Sequence, residues 1–296
     1  MIEFVGVTKS YDDGAPAVEN FSLRLAPRRI TVLVGSSGSG KTTLLRMINR
    51  MVDPSAGHVE IDGEDVAGRS PVTLRRGIGY VPQDAGLLPH RRVIDNIATV
   101  PLLKGEPRGA AQLRASELMN VVGLSPALAR RYPAQLSGGQ RQRVAVARAL
   151  AGDPNILLMD EPFGAVDPIV RADLQQETLR LQQELRKTIV FVTHDIDEAF
   201  LLGDEVVVLR PGAQVAQHGT PTDILAEPAD DFVAAFIGSA RGKRRLTIST
   251  RRPRDGDDRV VVDAGGYPVG VITAPGGRLP VADPTPRSRG GTQVVG

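Results

Sequence analysis

Apolar positions along the chain change spacing in a way that separates strands from helices. IEFVGVT at 2–8 and ENFSLRL at 19–25 read as short strands, the second alternating with the period of two of a half-buried strand. RITVLV at 29–34 is instead an almost unbroken β-branched run, the pattern of a strand buried on both faces. NILLMD (155–160), TIVFVTH (188–194) and EVVVLR (205–210) repeat that pattern. Helical spacing appears in TTLLRMINRM, which sets Leu44, Leu45, Ile48 and Met51 on one side. PIVRADLQQETLRLQQELRK (168–187) is a long amphipathic helix with Pro168 at its start, where the missing N–H costs no hydrogen bond. Strands alternating with helices predict an α/β fold with a mostly parallel sheet covered on both faces.

Residues 84–150 break the rhythm, because NIATVPLLKG, AAQLRASELMNVVGL and the segment after them are helical or loop-like. We read them as a helical subdomain inserted into the α/β core, whose own pattern resumes at Asn155. Near residue 220, TPTDIL opens a short helix. DDFVAAFIG forms another, with Phe232, Val233, Phe236 and Ile237 on one side and Gly238 as its stop. The expected organisation is one domain over 1–238 and a tail over 239–296. Within the tail, RVVVDAGGYPVGVIT (259–273) reads as strand, Gly-Gly turn, strand. From Ala274 onward the chain is rich in Pro, Gly and Arg, a composition that predicts mobility.

Composition narrows the function classes. Hydrophobic residues at 41% can build a core, yet apolar runs such as ILLM (156–159) are far too short to span a bilayer. The opening MIEFVGVTKSY has neither a basic start nor an apolar segment, so no export signal is expected. The chain has no cysteine, which excludes disulfides and thiolate metal sites and fits a cytosolic setting. The net charge of +2 hides an asymmetry: residues 239–296 carry 11 basic and 5 acidic side chains, residues 1–238 carry 25 and 29. A basic tail is one signature of a nucleic-acid partner. Here only five of 36 basic residues are Lys and the tail arginines are scattered, so no nucleic-acid partner is expected.

The chemistry concentrates in three segments. GSSGSGKT at 35–42 matches G-x-x-x-x-G-K-[ST] between a strand and a helix, where that pattern cradles phosphate. Gly35, Ser36, Ser37, Gly38, Ser39 and Gly40 would turn backbone N–H groups inward, and the following helix adds its positive end. Lys41 is then expected on the β- and γ-phosphates of a nucleotide, and Thr42, followed by Thr43, offers a hydroxyl to Mg²⁺. ILLMDEP at 156–162 supplies Asp160 as the Mg²⁺ carboxylate and Glu161 as the group that orients or deprotonates water. LSGGQ at 136–140 is a second glycine-rich helix start. Ser137 caps it, and Gly138 and Gly139 leave N–H groups open to an anion, as if for the nucleotide of another copy. By themselves, His194 suits a structural strand end as well as a catalytic role. Gln83 suits a plain loop, and Tyr11 suits packing as well as base stacking.

The ordered set resembles the ATPase subunit of ABC transporters over residues 1–238. The resemblance implies a P-loop, RecA-like core with an antiparallel β subdomain and a helical subdomain, working as a homodimer. It implies that Ser137, Gly138, Gly139 and Gln140 reach the γ-phosphate of the opposite subunit and that Tyr11 stacks on adenine. It assigns Gln83 to linking Mg²⁺ and water with a membrane partner, Asp167 to communication between subunits, and His194 to sensing γ-phosphate. GYVPQDAGLLPHRRVIDNIATVPLLKG and the stretch from MDEPFGAVDP onward resemble importers of glycine betaine, carnitine, choline or proline. That implies permease subunits, indirectly a substrate-binding protein, and a place at the cytoplasmic face of the cell membrane. The strand–turn–strand at 259–273 resembles part of one CBS repeat; 58 tail residues are too few for a pair. The competing expectations are another small-molecule importer or exporter, and a soluble ABC-type ATPase acting on nucleic acid or ribosomes. A single cassette and the lack of sustained heptads disfavour the last.

Overall fold

The computed structural model describes residues 1–11, 14–164 and 166–238, together with the backbone of three short strands beyond them. The chain opens with β1 (Ile2–Lys9), β2 (Val18–Leu25) and β3 (Ile30–Gly35) and turns into α1 (Lys41–Ile48). It continues through β4 (Ala56–Ile61), β5 (Glu64–Asp65), α2 (Pro71–Gly77) and β6 (Ile78–Val81). Four helices follow with no strand between them: α3 (Val93–Ile97), α4 (Thr99–Leu103), α5 (Arg108–Val121) and α6 (Gly138–Ala151). Alternation then resumes with β7 (Ile156–Asp160), α7 (Pro168–Leu185), β8 (Thr188–Thr193), α8 (Ile196–Leu202) and β9 (Glu205–Leu209). β10 (Val215–Gly219), α9 (Pro221–Ala226) and α10 (Asp231–Gly238) come after. In the tail, β11 (Leu246–Ile248), β12 (Arg259–Asp263) and β13 (Pro268–Ile272) pair antiparallel. The expected Gly-Gly turn and the stretch from Ala274 lie outside the described residues.

A six-stranded sheet, β10-β9-β3-β8-β7-β6, is parallel throughout except where β10 runs against β9. β3, β7 and β8 are buried at every position, which explains why their sequences show no polar alternation. Neighbouring residues of β3 still serve opposite faces. Val32 and Val34 pack with the helical segment through Val93, Ile97, Met119 and Val144. Leu33 packs on the other side with Leu44 and Ile48 of α1 and with the four-stranded antiparallel sheet β2-β1-β4-β5. That second sheet is anchored by Phe4 against Phe21, edge to face at 5.2 Å.

Parallel strands deliver their C-terminal ends to one edge, where ligands of open α/β sheets bind. β3, between β8 and β9, thereby brings its glycine loop beside the ends of β7 and β8. One expectation is corrected here. Met51 is not part of the helix: α1 stops at Ile48, Arg50 turns to φ 54°, and Met51 ends up half exposed. β4, β5, β6 and β10 carry too few alternating apolar residues for periodicity alone to find them.

Candidate functional site

The loop after β3 closes on itself before α1 begins. Lys41, itself buried, donates from Nζ to the carbonyls of Gly35 (2.8 Å) and Ser36 (2.7 Å) and to Ser39 Oγ (3.3 Å). Burial pushes its ammonium pKa down, opposed by the Glu161 and Asp160 carboxylates. Ser36, Ser37 and Gly38 form the exposed crest, while Ser39 is buried beneath it. Gly40 enters the helix at φ 89°, and a Cβ there would lie 2.4 Å from the Ala17 carbonyl oxygen, so only glycine fits. Thr42 and Thr43 follow in the first turn of α1, half-buried.

At the end of β7, Asp160 is 3% exposed and accepts a 2.8 Å hydrogen bond at Oδ1 from the Thr42 hydroxyl. Its Oδ2 lies 3.3 Å from the Tyr80 hydroxyl and 3.5 Å from Arg46 Nη2. Burial first, then the Asp160 carboxylate, pushes the Tyr80 phenol up, so its hydroxyl stays a proton donor. The Thr42 hydroxyl beside a carboxylate is an all-oxygen donor set suited to a hard cation such as Mg²⁺.

Glu161 follows in the left-handed region at φ 43°, with its N–H bonded to the Val192 carbonyl at 3.0 Å. A non-glycine residue held there stores strain, a feature that clusters at working sites. Its Oε2 stands 3.2 Å from His194 Nδ1, just past the end of β8. Loop, metal-type oxygens, acid and histidine therefore share one edge of the sheet.

The second glycine run stands apart. Ser137 Oγ accepts from Gln140 N (3.2 Å) and Gln140 Oε1 accepts from Ser137 N (3.1 Å), a reciprocal capping box at the start of α6. Gly138 is half-buried, and Gly139 is buried so tightly that a Cβ would lie 2.3 Å from Val170 Cγ1. Asp167 Oδ1 accepts from Val170 N at 3.1 Å, capping α7, so these two turns pack together. The cap of α6 is closed on itself by the Ser137–Gln140 pair. Gln83 is exposed after β6, and Tyr11 is half exposed with Lys9 Nζ 5.3 Å from its ring centre. Two neighbours of Asp160, Tyr80 and Arg46, were missed by sequence reasoning; a tyrosine in GYV reads as strand packing.

The sequence pattern of the ABC transporter family matches residues 18–164. The choline transport ATP-binding protein OpuBA of Bacillus subtilis is 51% identical over 241 residues, 81% of this chain and 63% of that one. The glycine betaine uptake system ATP-binding protein YehX of Escherichia coli is 49% identical over 249 residues, 84% of this chain and 80% of its own length. The chain spans only 60–63% of the length of the first choline and carnitine transport relatives. A dimeric ATP-binding cassette solved in a post-hydrolysis state with ADP and phosphate superposes with a TM-score of 0.68 at 33% identity, covering 75% of this chain and 99% of that one. With its glycine loop and carboxylates at one edge of this sheet and LSGGQ capping α6, the chain belongs to the ABC transporter family.

Proposed function

We propose that the protein hydrolyses ATP to drive import of a quaternary-amine osmoprotectant such as glycine betaine, carnitine or choline, or of proline. The observation that carries the hydrolytic part is the Glu161–His194 pair at 3.2 Å beside the Thr42–Asp160 pair at 2.8 Å. In this reading the loop from Gly35 to Thr43 holds the triphosphate, with Lys41 on the β- and γ-phosphates. Thr42 and Asp160 hold Mg²⁺, with Gln83 alongside; the ion, when bound, neutralises charge developing on the phosphates. Glu161 takes the proton of the attacking water, and His194, bonded to its carboxylate, fixes its direction. Identity of 46–51% to ATP-binding proteins named for choline, carnitine and osmoprotectant transport supports the cargo class.

The cap at Ser137–Gln140 serves the nucleotide of a second copy, so two ATPs are sandwiched in a homodimer, with Asp167 at the joint and Tyr11 against adenine. The solved dimeric cassettes support that arrangement. No helix among the described residues is long and apolar enough to cross a membrane, so permease subunits would form the path. The subunit would work at the cytoplasmic face, served indirectly by a substrate-binding protein. Glu161→Gln tests the chemistry: ATP binding is expected to persist while turnover drops about 100-fold or more and an ATP-bound dimer accumulates on a sizing column. Unchanged turnover would remove Glu161 from its role. Vesicles holding the protein with its permease and labelled betaine would test the cargo, and transport of only unrelated solutes would overturn it.

A further inference from the structure

Asp160 has partners that the phosphate reading leaves unused. A carboxylate this buried needs a donor at each oxygen. Thr42 serves Oδ1, while Oδ2 faces Tyr80 and Arg46. Sheet register sets this up. β6 pairs in parallel with β7 so that Tyr80 lies opposite Leu158. Residues two apart on a strand share a face, so Tyr80, Leu158 and Asp160 all stand on the α1 side. A phenol is long enough to cover the one diagonal step to Asp160. Arg46, on α1, approaches the same oxygen from the helix layer. Tyr80 also lines a cavity of about 310 Å³, with Arg75, Leu88 and Arg148 among its neighbours. It packs, half-buried, against the apolar cluster that contains Leu158, and its hydroxyl meets both Arg46 and the carboxylate.

We infer that Tyr80, supported by Arg46, is a positioning residue for Asp160. By engaging Oδ2 it stops the carboxylate from turning about its last torsion and keeps Oδ1 facing the Thr42 hydroxyl, where Mg²⁺ would bind. Mg²⁺ demands near-ideal octahedral geometry, so a swinging carboxylate weakens it more than it would weaken a larger ion. Outer hydrogen-bond partners of metal-binding groups typically change metal affinity by about 10- to 100-fold. The Tyr80 bond is long and Arg46 shares its duty, so its removal belongs at or below the lower end. The inference rests on the proposal that Thr42 and Asp160 serve a magnesium nucleotide.

Tyr80→Phe keeps the ring and its packing and removes only the hydroxyl. Binding of a fluorescent ATP analogue to the full chain would be followed in EDTA and across a Mg²⁺ titration. Affinity in EDTA is expected to match the unaltered protein, while the Mg²⁺ concentration for half effect rises roughly three- to tenfold. An unchanged Mg²⁺ midpoint would overturn the inference. So would an equal loss of affinity with and without Mg²⁺, since that marks general damage to the site. If binding to the unaltered protein ignores Mg²⁺, the magnesium-nucleotide reading itself falls and takes this inference with it.

Discussion

Glu198 is a carboxyl group in the wrong solvent. It lies 5% exposed in the first turn of α8, and its Oε1 accepts a 2.9 Å hydrogen bond from Gln175 Nε2 on α7. Burial raises its pKa; hydrogen bonds from Thr193 and Gln175 oppose that, Asp195 adds to it and Arg171 counters it. The folded state therefore holds this proton to higher pH than the unfolded chain does. Stability contributed by Glu198 is greatest below the unfolded carboxylate range and falls as pH rises toward the raised folded pKa. Glu198→Gln keeps an acceptor for Gln175 and has nothing to ionise. Urea midpoints measured from pH 4 to pH 8 are expected to decline less steeply for the variant. A parallel decline in both proteins would show that other groups set the slope. Glu161, three residues before Gly164 in the turn after β7, is the opposite case, a strained backbone kept where its side chain meets His194.

Helices α6 and α7 meet at their starts, and glycine is what lets them. With Gly139 Cα turned toward Val170, a methyl group would sit 2.3 Å from Cγ1, inside any possible contact. Gly139→Ala must therefore push α7 away or bend α6, at a cost of about 1–3 kcal/mol as overpacking. Shrinking the neighbour removes the clash, so Val170→Ala in the same chain is expected to recover most of the loss. Thermal unfolding of the two single variants and the double variant would measure this coupling, and additive losses would contradict it. Because Asp167 caps α7 beside Val170, the same contact also sets the turn carrying Asp167 against the start of α6.

The chain exposes the crest of its glycine loop at Ser36–Gly38 and presents its LSGGQ turn elsewhere, with Ser137 exposed. A site built from two copies follows if the proposed function holds. Ser137→Trp introduced into the Glu161→Gln chain fills that surface without touching the loop of its own chain. ATP binding is expected to persist and the ATP-dependent dimer to disappear in light scattering. A dimer of normal abundance would argue against the composite site. Loss of the cap alone costs α6 only about 0.5–2 kcal/mol, too little to unfold a domain with two large buried clusters.

Short-range patterns were enough for the strands β3, β7, β8 and β9, for the helix after Pro168 and for the residues of the glycine loop. Their periods and turn residues act over a few positions, which a chain displays in order. The helical spacing misled only at Met51, where a left-handed Arg50 ends the turn. Tertiary structure alone decided what meets across distance. Thr42 and Asp160 are 118 residues apart, and strand order brings them within 2.8 Å. Tyr80 reaches Asp160 through the register of two parallel strands, and Gly139 meets Val170 through helix packing. Such pairings come from burying several faces at once, so no single stretch of sequence contains them.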